Sequence, residues 1–410
     1  MLGRMQDKDL FGLALGLSKP WFVSSVEFEP EERRLELLID FERGGVFPCS
    51  ECGAADCKAY DTEEKSWRHL NFFQFETQLR ARLPRVRCGK CGVLPVSPPW
   101  ARPGSGFTLL FEALVLTLAA HMPVRAIARL LGEHDTRLWR ILHHYVDFSR
   151  AERDDSAVRE VGIDETASRR GHNYVSLFVD LDEAKVLYVA EGRSAATVEE
   201  FRRDLEEHGG RTEQIEEVCC DMSPAFIKGI EMAFPEAAIT FDKFHVMRVI
   251  GDAVDKTRRV ERAEYPELKG YRYALLRNPE SMSDRELDFT SQLLRKSTSK
   301  TARAFHLKLV FREFYDQPRK FAERYLEKWY RWAVRSRIPA MIEAAQTIRR
   351  HWDGVLRWFV SRISNGLLEG LNSLVQAAKA KARGYASFKN LRTIIYLIAG
   401  KLDLQATHLR

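Results

Sequence analysis

The chain has 410 residues, enough for two to four domains of ordinary size. Its 45% hydrophobic and 30% charged content excludes a disordered chain, and no apolar run reaches the roughly 20 residues that a membrane-spanning helix needs. The formal net charge of +6 is compatible with nucleic acid as a partner without demanding it. Lys379 to Arg410 carries seven Lys/Arg against the single acid Asp403, so this stretch alone nets +6 and the rest is close to balanced.

Up to about residue 100, short β-prone runs (Arg34 to Phe41, Phe73 to Leu83, Arg85 to Arg87) alternate with cysteine-bearing turns. Cys49-Ser-Glu-Cys52 and Cys88-Gly-Lys-Cys91 form two C-x-x-C pairs. Each two-residue spacer lets a turn aim both sulfurs at one tetrahedral ion, so one structural zinc held by Cys49, Cys52, Cys88 and Cys91 is expected. Gly53, Gly89 and Gly92 suit the tight turns of such knuckles. The strands between Trp67 and Leu83 are expected to form a hairpin that brings the second pair back to the first. Cys57 lies close by as a substitute ligand, and Cys219-Cys220 reads as strand core. The absence of a signal-peptide apolar core in Met1 to Gly12 and this cysteine usage point to a reducing cytoplasm. The Pro-rich stretch from Leu94 to Gly104 reads as a linker.

Helical patterning begins at Phe107 and runs to Ala120. Pro123 then fits the first turn of a second helix, Val124 to Leu131, which stops at Gly132; Asp135 is a plausible N-cap of a third, Thr136 to Tyr145. Two short helices across a Gly-containing turn are an arrangement that reads a DNA major groove. Thr136, Arg137, Arg140 and His143 would meet the bases, with Arg125 and Arg129 on the preceding helix. The alternative is a three-helix packing unit with solvated arginines.

Strands dominate from Glu160 to Phe241. Glu160 to Ile163 ends in Asp164-Glu165, Tyr174 to Val179 and Val186 to Ala190 form a hairpin, a helix covers Ala196 to His208, Ile215 to Cys220 ends in Asp221, and Ala238 to Phe241 ends in Asp242. That order is the one of a ribonuclease-H-like fold, which sets carboxylates from its first and fourth strands side by side. Paired carboxylates are what two Mg2+ ions (or Mn2+ in their place) require for in-line attack on a phosphodiester. Asp164 and Asp221 are therefore the metal-holding candidates, and Glu369, in the helical block Ser364 to Ser373, is the best placed third acid. Glu165 and Asp242 are the rivals; Asp242 can instead cap the following helix, and His245 either touches a phosphate or packs against the sheet.

Together these residues resemble the ISL3 family of insertion-sequence transposases over essentially the whole chain. The matching elements are the cysteine pairs with Trp67-Arg-His-Leu70 between them, Met122 to Leu131, Gly162-Ile-Asp-Glu165, Asp221-Met-Ser223, Asp242-Lys-Phe-His245, and Ser364 to Asn372 through Gly384-Tyr385. The resemblance implies a DDE triad at Asp164, Asp221 and Glu369, with zinc-binding and helix-turn-helix elements that recognise transposon ends. It also implies that the mostly helical stretch 243–360 is an insertion within the catalytic fold.

Beyond Glu369, Lys379, Lys381 and Arg383 lie on or near its helix, where they could hold phosphates flanking the scissile bond. Trp352 and Trp358 either stack on an unpaired base or serve as amphipathic core, and Trp329 and Trp332 are read as core. The expected architecture is thus a mixed α+β and α/β multidomain protein: a zinc-binding β-rich module (1–100), a helix-turn-helix (101–150), and a ribonuclease-H-like catalytic domain (155–242 and 361–410) interrupted by an α-helical insertion (243–360). The expected activity is DNA transposition: binding of terminal inverted repeats, metal-dependent cleavage and joining of 3′-OH ends to target DNA. The partners would be double-stranded DNA and, since two ends must be paired, a second copy of the chain; no membrane is involved, and the setting is the bacterial nucleoid. A DNA-binding regulator without catalysis, or a nuclease without strand transfer, would share many of these features.

Overall fold

The computed structural model describes residues 7–169, 173–296, 298–363 and 366–404. They fall into two compact units, one built on the residues before Arg150 and one spanning Arg150–Leu402.

The first unit opens with helix α1 (Asp7–Ala14), followed by strands β1 (Trp21–Glu29), β2 (Arg34–Phe41), β3 (Val46–Phe47), β4 (Cys57–Arg68), β5 (Glu76–Cys88) and β6 (Gly92–Pro95). The sheet order is β1-β2-β5-β4-β3, with β6 also paired to β5. The expected hairpin is β4 and β5, antiparallel with Trp67 opposite Leu79. Strand β5 shows why it is a half-buried strand: Thr77, Leu79, Ala81 and Leu83 are buried, while Arg80 and Arg82 between them face outward to Glu64 and Asp40. The two runs expected at Phe73 to Leu83 and Arg85 to Arg87 are thus one strand that continues through Pro84.

The Pro-rich stretch is not a free linker. Val96, Trp100 and Ala101 are buried, and Trp100 packs edge-on against Trp21 and Trp67 with ring centroids 5.0 and 5.5 Å away. These buried apolar groups, Trp100 above all, outweighed the Pro/Gly signal, since burying each removes its area from water.

Helices α2 (Leu109–Ala119), α3 (Val124–Leu131) and α4 (Asp135–Ala151) follow. Thr108 caps α2, Pro123 is the N-cap of α3 rather than its first turn, and Gly132 ends α3 at φ 70°. Asp135 sits inside the first turn of α4, one residue later than a cap. The buried Glu112 of α2 accepts from Arg102, Ser105 and the Tyr145 hydroxyl of α4, which ties the two helices together. Arg68 of the Trp67-to-Leu70 motif is 2% exposed, lies over the Phe111 ring, and donates to the carbonyls of Thr77 and Leu131. It therefore fastens the hairpin to the end of α3.

The second unit contains β7 (Glu160–Ala167), β8 (Tyr174–Asp180), β9 (Lys185–Glu191), α5 (Ala195–Glu207), β10 (Glu217–Cys220), α6 (Pro224–Ala233), β11 (Ala238–Phe241) and α7 (Lys243–Glu261). A helical stretch follows: α8 (Arg272–Leu276), α9 (Asp284–Leu294), α10 (Lys300–Arg312), α11 (Arg319–Val334), α12 (Pro339–Arg350), α13 (Trp352–Ser361), α14 (Gly366–Ala382) and α15 (Phe388–Ala399). The sheet order is β11-β10-β7-β8-β9; β7, β10 and β11 are parallel, and the β7-β8-β9 pairs are antiparallel. Val161 and Ile163 of β7 enter the main core with Phe178, Phe201 and Phe234. Their neighbours Gly162 and Asp164 point to the opposite face, because successive strand residues alternate. There α14 crosses: a Cβ at Gly162 would lie 2.9 Å from the Leu368 side chain, so only glycine allows this approach.

Strand β7 is longer than the sequence suggests. It continues to Ala167 because β8 pairs with it out to Tyr174, so Asp164 lies within the strand rather than at its end. No helix among the described residues is long and apolar enough to cross a membrane.

Candidate active site and metal centre

Parallel pairing fixes the acids in a row. Cys219 of β10 is opposite Gly162 of β7, and Cys220 is opposite Phe241 of β11. Counting on by two and by one residue puts Asp221 level with Asp164 and Asp242 level with Asp221, on strands about 4.8 Å apart. β10 and β11 end there and their chains turn into α6 and α7, so the row opens at the carboxyl ends of these two strands.

Each carboxylate is held. Asp164 accepts the backbone N–H of Glu165 at 2.8 Å through Oδ1 and the side-chain amide of Asn372 through Oδ2. Asp221 accepts the Ser223 N–H at 2.9 Å. Asp242, 3% exposed, caps α7 by accepting from Phe244 N at 2.9 Å through Oδ1, and its Oδ2 lies 2.6 Å from Nδ1 of His245. Asp242 thus caps α7, and His245 meets its carboxylate.

The electrostatics follow. Burial pushes the Asp164 carboxyl up to about 6, and the neighbouring Asp242 and Asp221 charges add to the rise, against the Glu165 N–H and the His245 charge. Burial disfavours the charged His245 imidazole, yet the Asp242 hydrogen bond and the charges of Asp242, Asp164 and Asp221 outweigh it and raise its value. A crowded set of carboxylates with one imidazole is unfavourable without positive charge beside it, and the all-oxygen donors of Asp164 and Asp221 suit a hard divalent cation.

Glu369 lies in the first turn of α14, and its side chain is exposed. Among the described residues no hydrogen bond joins it to Asp164 or Asp221; it precedes Asn372 by three residues, so the two share a helix flank. Asn372 and Gln376 are the residues that sequence reasoning passed over. Gln376 donates to Thr166 and Lys379 Nζ donates to the carbonyl of Ala167 at 2.5 Å, so α14 is laced along β7. A signal was present: Leu368, Asn372, Val375, Gln376 and Lys379 make a single helical stripe, and two amides within an apolar stripe need partners. Ser364 and Asn365 of the same block lie outside the described residues. Lys381 and Arg383 are exposed, whereas the ammonium of Lys379 is engaged by β7. Glu165 pairs with Arg193 at 3.2 Å, away from the carboxylate row.

Trp352 and Trp358 are half-buried. Trp358 packs edge-on against Tyr315 at 5.0 Å and carries Lys243 and Arg362 over its ring; Trp352 meets Tyr330 and Arg349. Both pack partly buried against the main core. Trp329 is core, donating Nε1 to Leu307 at 2.9 Å, but Trp332 is 42% exposed, contrary to expectation.

In the first unit the sulfurs of Cys49, Cys52, Cys88 and Cys91 all lie within 4.8 Å of one another, with Cys52 and Cys88 at 3.6 Å. Tetrahedral zinc thiolates stand about 3.8 Å apart, so the four fit one ion. The backbone N–H groups of Lys90 and Cys91 pull the Cys88 thiol down to about 6. The Cys57 thiol instead lies 3.5 Å from the Ala54 carbonyl. On the helix-turn-helix, Thr136, Arg129 and Arg140 are exposed, Arg125 reaches toward Asp135 at 3.7 Å, and His143 is half-buried against Trp139. Arg137 pairs with Glu133 at 2.5 Å and covers the Phe107 ring at 4.3 Å.

Three family models match this sequence in succession. A zinc-finger model of the IS204/IS1001/IS1096/IS1165 transposases covers residues 45–91, a helix-turn-helix model of the ISL3 transposase family covers 96–146, and a transposase model of the ISL3 DDE type covers 161–395. Among curated proteins, the transposase for insertion sequence element IS1557 of Mycobacterium tuberculosis is 27% identical over 93% of each chain. The transposase for IS1001 of Bordetella parapertussis is 26% identical over 91% of this chain and 93% of its own.

Proposed function

Since the chain belongs to the ISL3 family of insertion-sequence DNA transposases, we propose that it cleaves transposon ends by metal-dependent hydrolysis and joins the freed 3′-OH to target DNA, with Asp164, Asp221 and Glu369 as its carboxylate triad. The observation that carries this reading is the level placement of Asp164 and Asp221 on neighbouring parallel strands, with the Glu369 helix bonded to Asp164 through Asn372. The strand order β11-β10-β7-β8-β9 supports a ribonuclease-H-like catalytic domain (155–242 and 361–410), with 243–360 as its helical insertion.

Two Mg2+ or Mn2+ ions, when bound by these acids, would polarise the scissile phosphate and offset the charge that develops on the entering and leaving oxygens. The chain itself keeps the acids in place. The Glu165 N–H and Asn372 fix both oxygens of Asp164, the Ser223 N–H fixes one of Asp221, and Leu368 seated on Gly162 sets how closely α14 can bring Glu369. A structural zinc on the four cysteines would stiffen the β-rich module (1–100), which with the helix-turn-helix (101–150) would read the terminal repeats of double-stranded DNA. Two ends must be held at once, so a homodimer on the bacterial nucleoid is the working form.

The test is Asp164→Asn. With Mg2+, labelled end DNA and a plasmid target, the variant should bind ends in a gel shift yet release no 3′-OH and give no joined product. Cleavage at the wild-type rate would refute the assignment.

A further inference from the structure

Asp242 and His245 form a buried carboxylate–imidazole pair beside the acid row, a pair the triad does not use. Asp242 is 3% exposed and level with Asp221, and both of its oxygens are committed, one to the Phe244 N–H and one to His245 Nδ1 at 2.6 Å. An imidazole whose Nδ1–H is donated to a carboxylate has its tautomer and ring plane fixed and presents Nε2 as the exchanging atom. The His245 side chain is 21% exposed, so the ring is not sealed from solvent. It stands on the first turn of α7, within the field of Asp164 and Asp221. Two neighbours in the segment have structural tasks: Asp242 caps the helix, and Lys243 lies over the Tyr315 and Trp358 rings at 4.8 and 5.4 Å.

Hydrolysis that frees a 3′-OH expels a 3′-alkoxide, a strong base, and a positioned proton donor is worth about 10²–10⁴-fold for such a step. We propose that His245, positioned by Asp242, is the catalytic acid–base group at the 3′-oxygen of the transposon end. In cleavage, water forms a bond to phosphorus, the P–O3′ bond breaks, and the Nε2 proton passes to O3′; the surplus proton of the water leaves to solvent. In joining, the O3′–H proton returns to Nε2 as O3′ bonds the target phosphorus, and the expelled target 3′-oxygen takes a proton from solvent. Microscopic reversibility lets one group serve both steps, because the same oxygen leaves in the first and attacks in the second. This inference rests on the hydrolysis-and-joining reading above.

The test uses the full-length protein, Mn2+ and two end duplexes, one with the normal 3′-oxygen at the scissile phosphate and one with a bridging 3′-sulfur. A thiolate leaves without a proton. His245→Gln should cut the oxygen linkage about 10²-fold more slowly than wild type, yet the sulfur linkage within about 3-fold. It should also join pre-cut 3′-OH ends about 10²-fold more slowly. Equal losses on oxygen and sulfur would overturn the proposal and leave His245 as a phosphate contact. If His245→Gln fails to bind ends, Asp242→Asn, which keeps the ring, should show a smaller loss confined to the oxygen linkage; loss on both again overturns it. Asp164→Asn loses both substrates; a wild-type protein that cuts neither removes the hydrolysis reading and this inference with it, whereas equal losses in His245→Gln remove this inference alone.

Discussion

Asn372 donates its side-chain amide to the Asp164 carboxylate oxygen that the Glu165 backbone does not occupy, so helix α14 and strand β7 meet at the acid itself. The Asn372 carbonyl oxygen is buried with no hydrogen-bond partner among the described residues, a cost that the bond to Asp164 offsets. Loss of a group that orients a metal ligand typically costs 10–100-fold in metal affinity or activity. Asn372→Ala should therefore weaken Mn2+ binding, measured by titration calorimetry without DNA, by about that factor. Asn372→Asp adds a fourth carboxylate and should weaken cleavage at least as much. Unchanged Mn2+ affinity in both variants would show that α14 does not orient Asp164.

Gly162 sets the distance between the same two elements. A Cβ there would lie 2.8 Å from Leu181 and 2.9 Å from Leu368, closer than Cβ contacts ordinarily come, so these side chains would have to shift. Overpacking of this kind costs about 1–3 kcal/mol. Gly162→Ala should lower the urea midpoint accordingly and slow cleavage, because α14 shifts with Glu369 on it; Leu368→Ala in the same chain should restore part of the stability.

The Asp164 carboxyl sits at about 6 in the fold against an ordinary value of 3.8. The folded state holds this proton more tightly than the unfolded one, so the stability it contributes is complete below about pH 4 and is lost as pH rises through about 6. At neutral pH the ionised acid costs on the order of 1–3 kcal/mol. Asp164→Asn should raise the melting temperature at pH 7.5 without added Mg2+, and the gain should vanish toward pH 4. No gain at pH 7.5 would mean that the acid is not strained in the fold.

The sequence made β7, β8, β10 and β11 legible because alternation and strand-end acids carry local information, and the cysteine spacing declared the cluster. What it hid depends on partners distant along the chain. Asp164 lies within a strand because β8 extends the pairing, and Trp100 is core because Trp21 and Trp67 await it. Asn372 matters because β7, about 200 residues earlier, supplies its acceptor. His245 was visible as a residue, but its pairing with Asp242 needs the turn from β11 into α7.

The arginines of the helix-turn-helix separate by partner. Arg137 is engaged by Glu133 and the Phe107 ring, whereas Arg140 is exposed one turn further along α4. Arg137→Ala should lower stability measurably and act on DNA binding mainly through that loss. Arg140→Ala should leave stability within about 0.5 kcal/mol. It should also weaken end binding and reduce the slope of log K against log salt by about 1. Titrations at several salt concentrations decide between them; an unchanged slope for Arg140→Ala removes it from the phosphate contacts.

The zinc cluster should hold the β4–β5 hairpin closed, since Cys49 and Cys52 precede β4 while Cys88 ends β5 and Cys91 follows it. One zinc per chain is expected by metal analysis of the purified protein. Cys88→Ser removes the thiol that the Lys90 and Cys91 N–H groups favour as thiolate, so the bound zinc should be lost. Without it, the end of β5 and the paired strand β6 lose their anchor, and Trp100, a few residues on, loses its seat. Limited proteolysis of the full chain should then cut early within residues 45–105 in the variant and in zinc-depleted wild type, and zinc addition should restore protection to the wild type alone. A variant that keeps stoichiometric zinc would place the metal on other ligands, with Cys57 the first to examine.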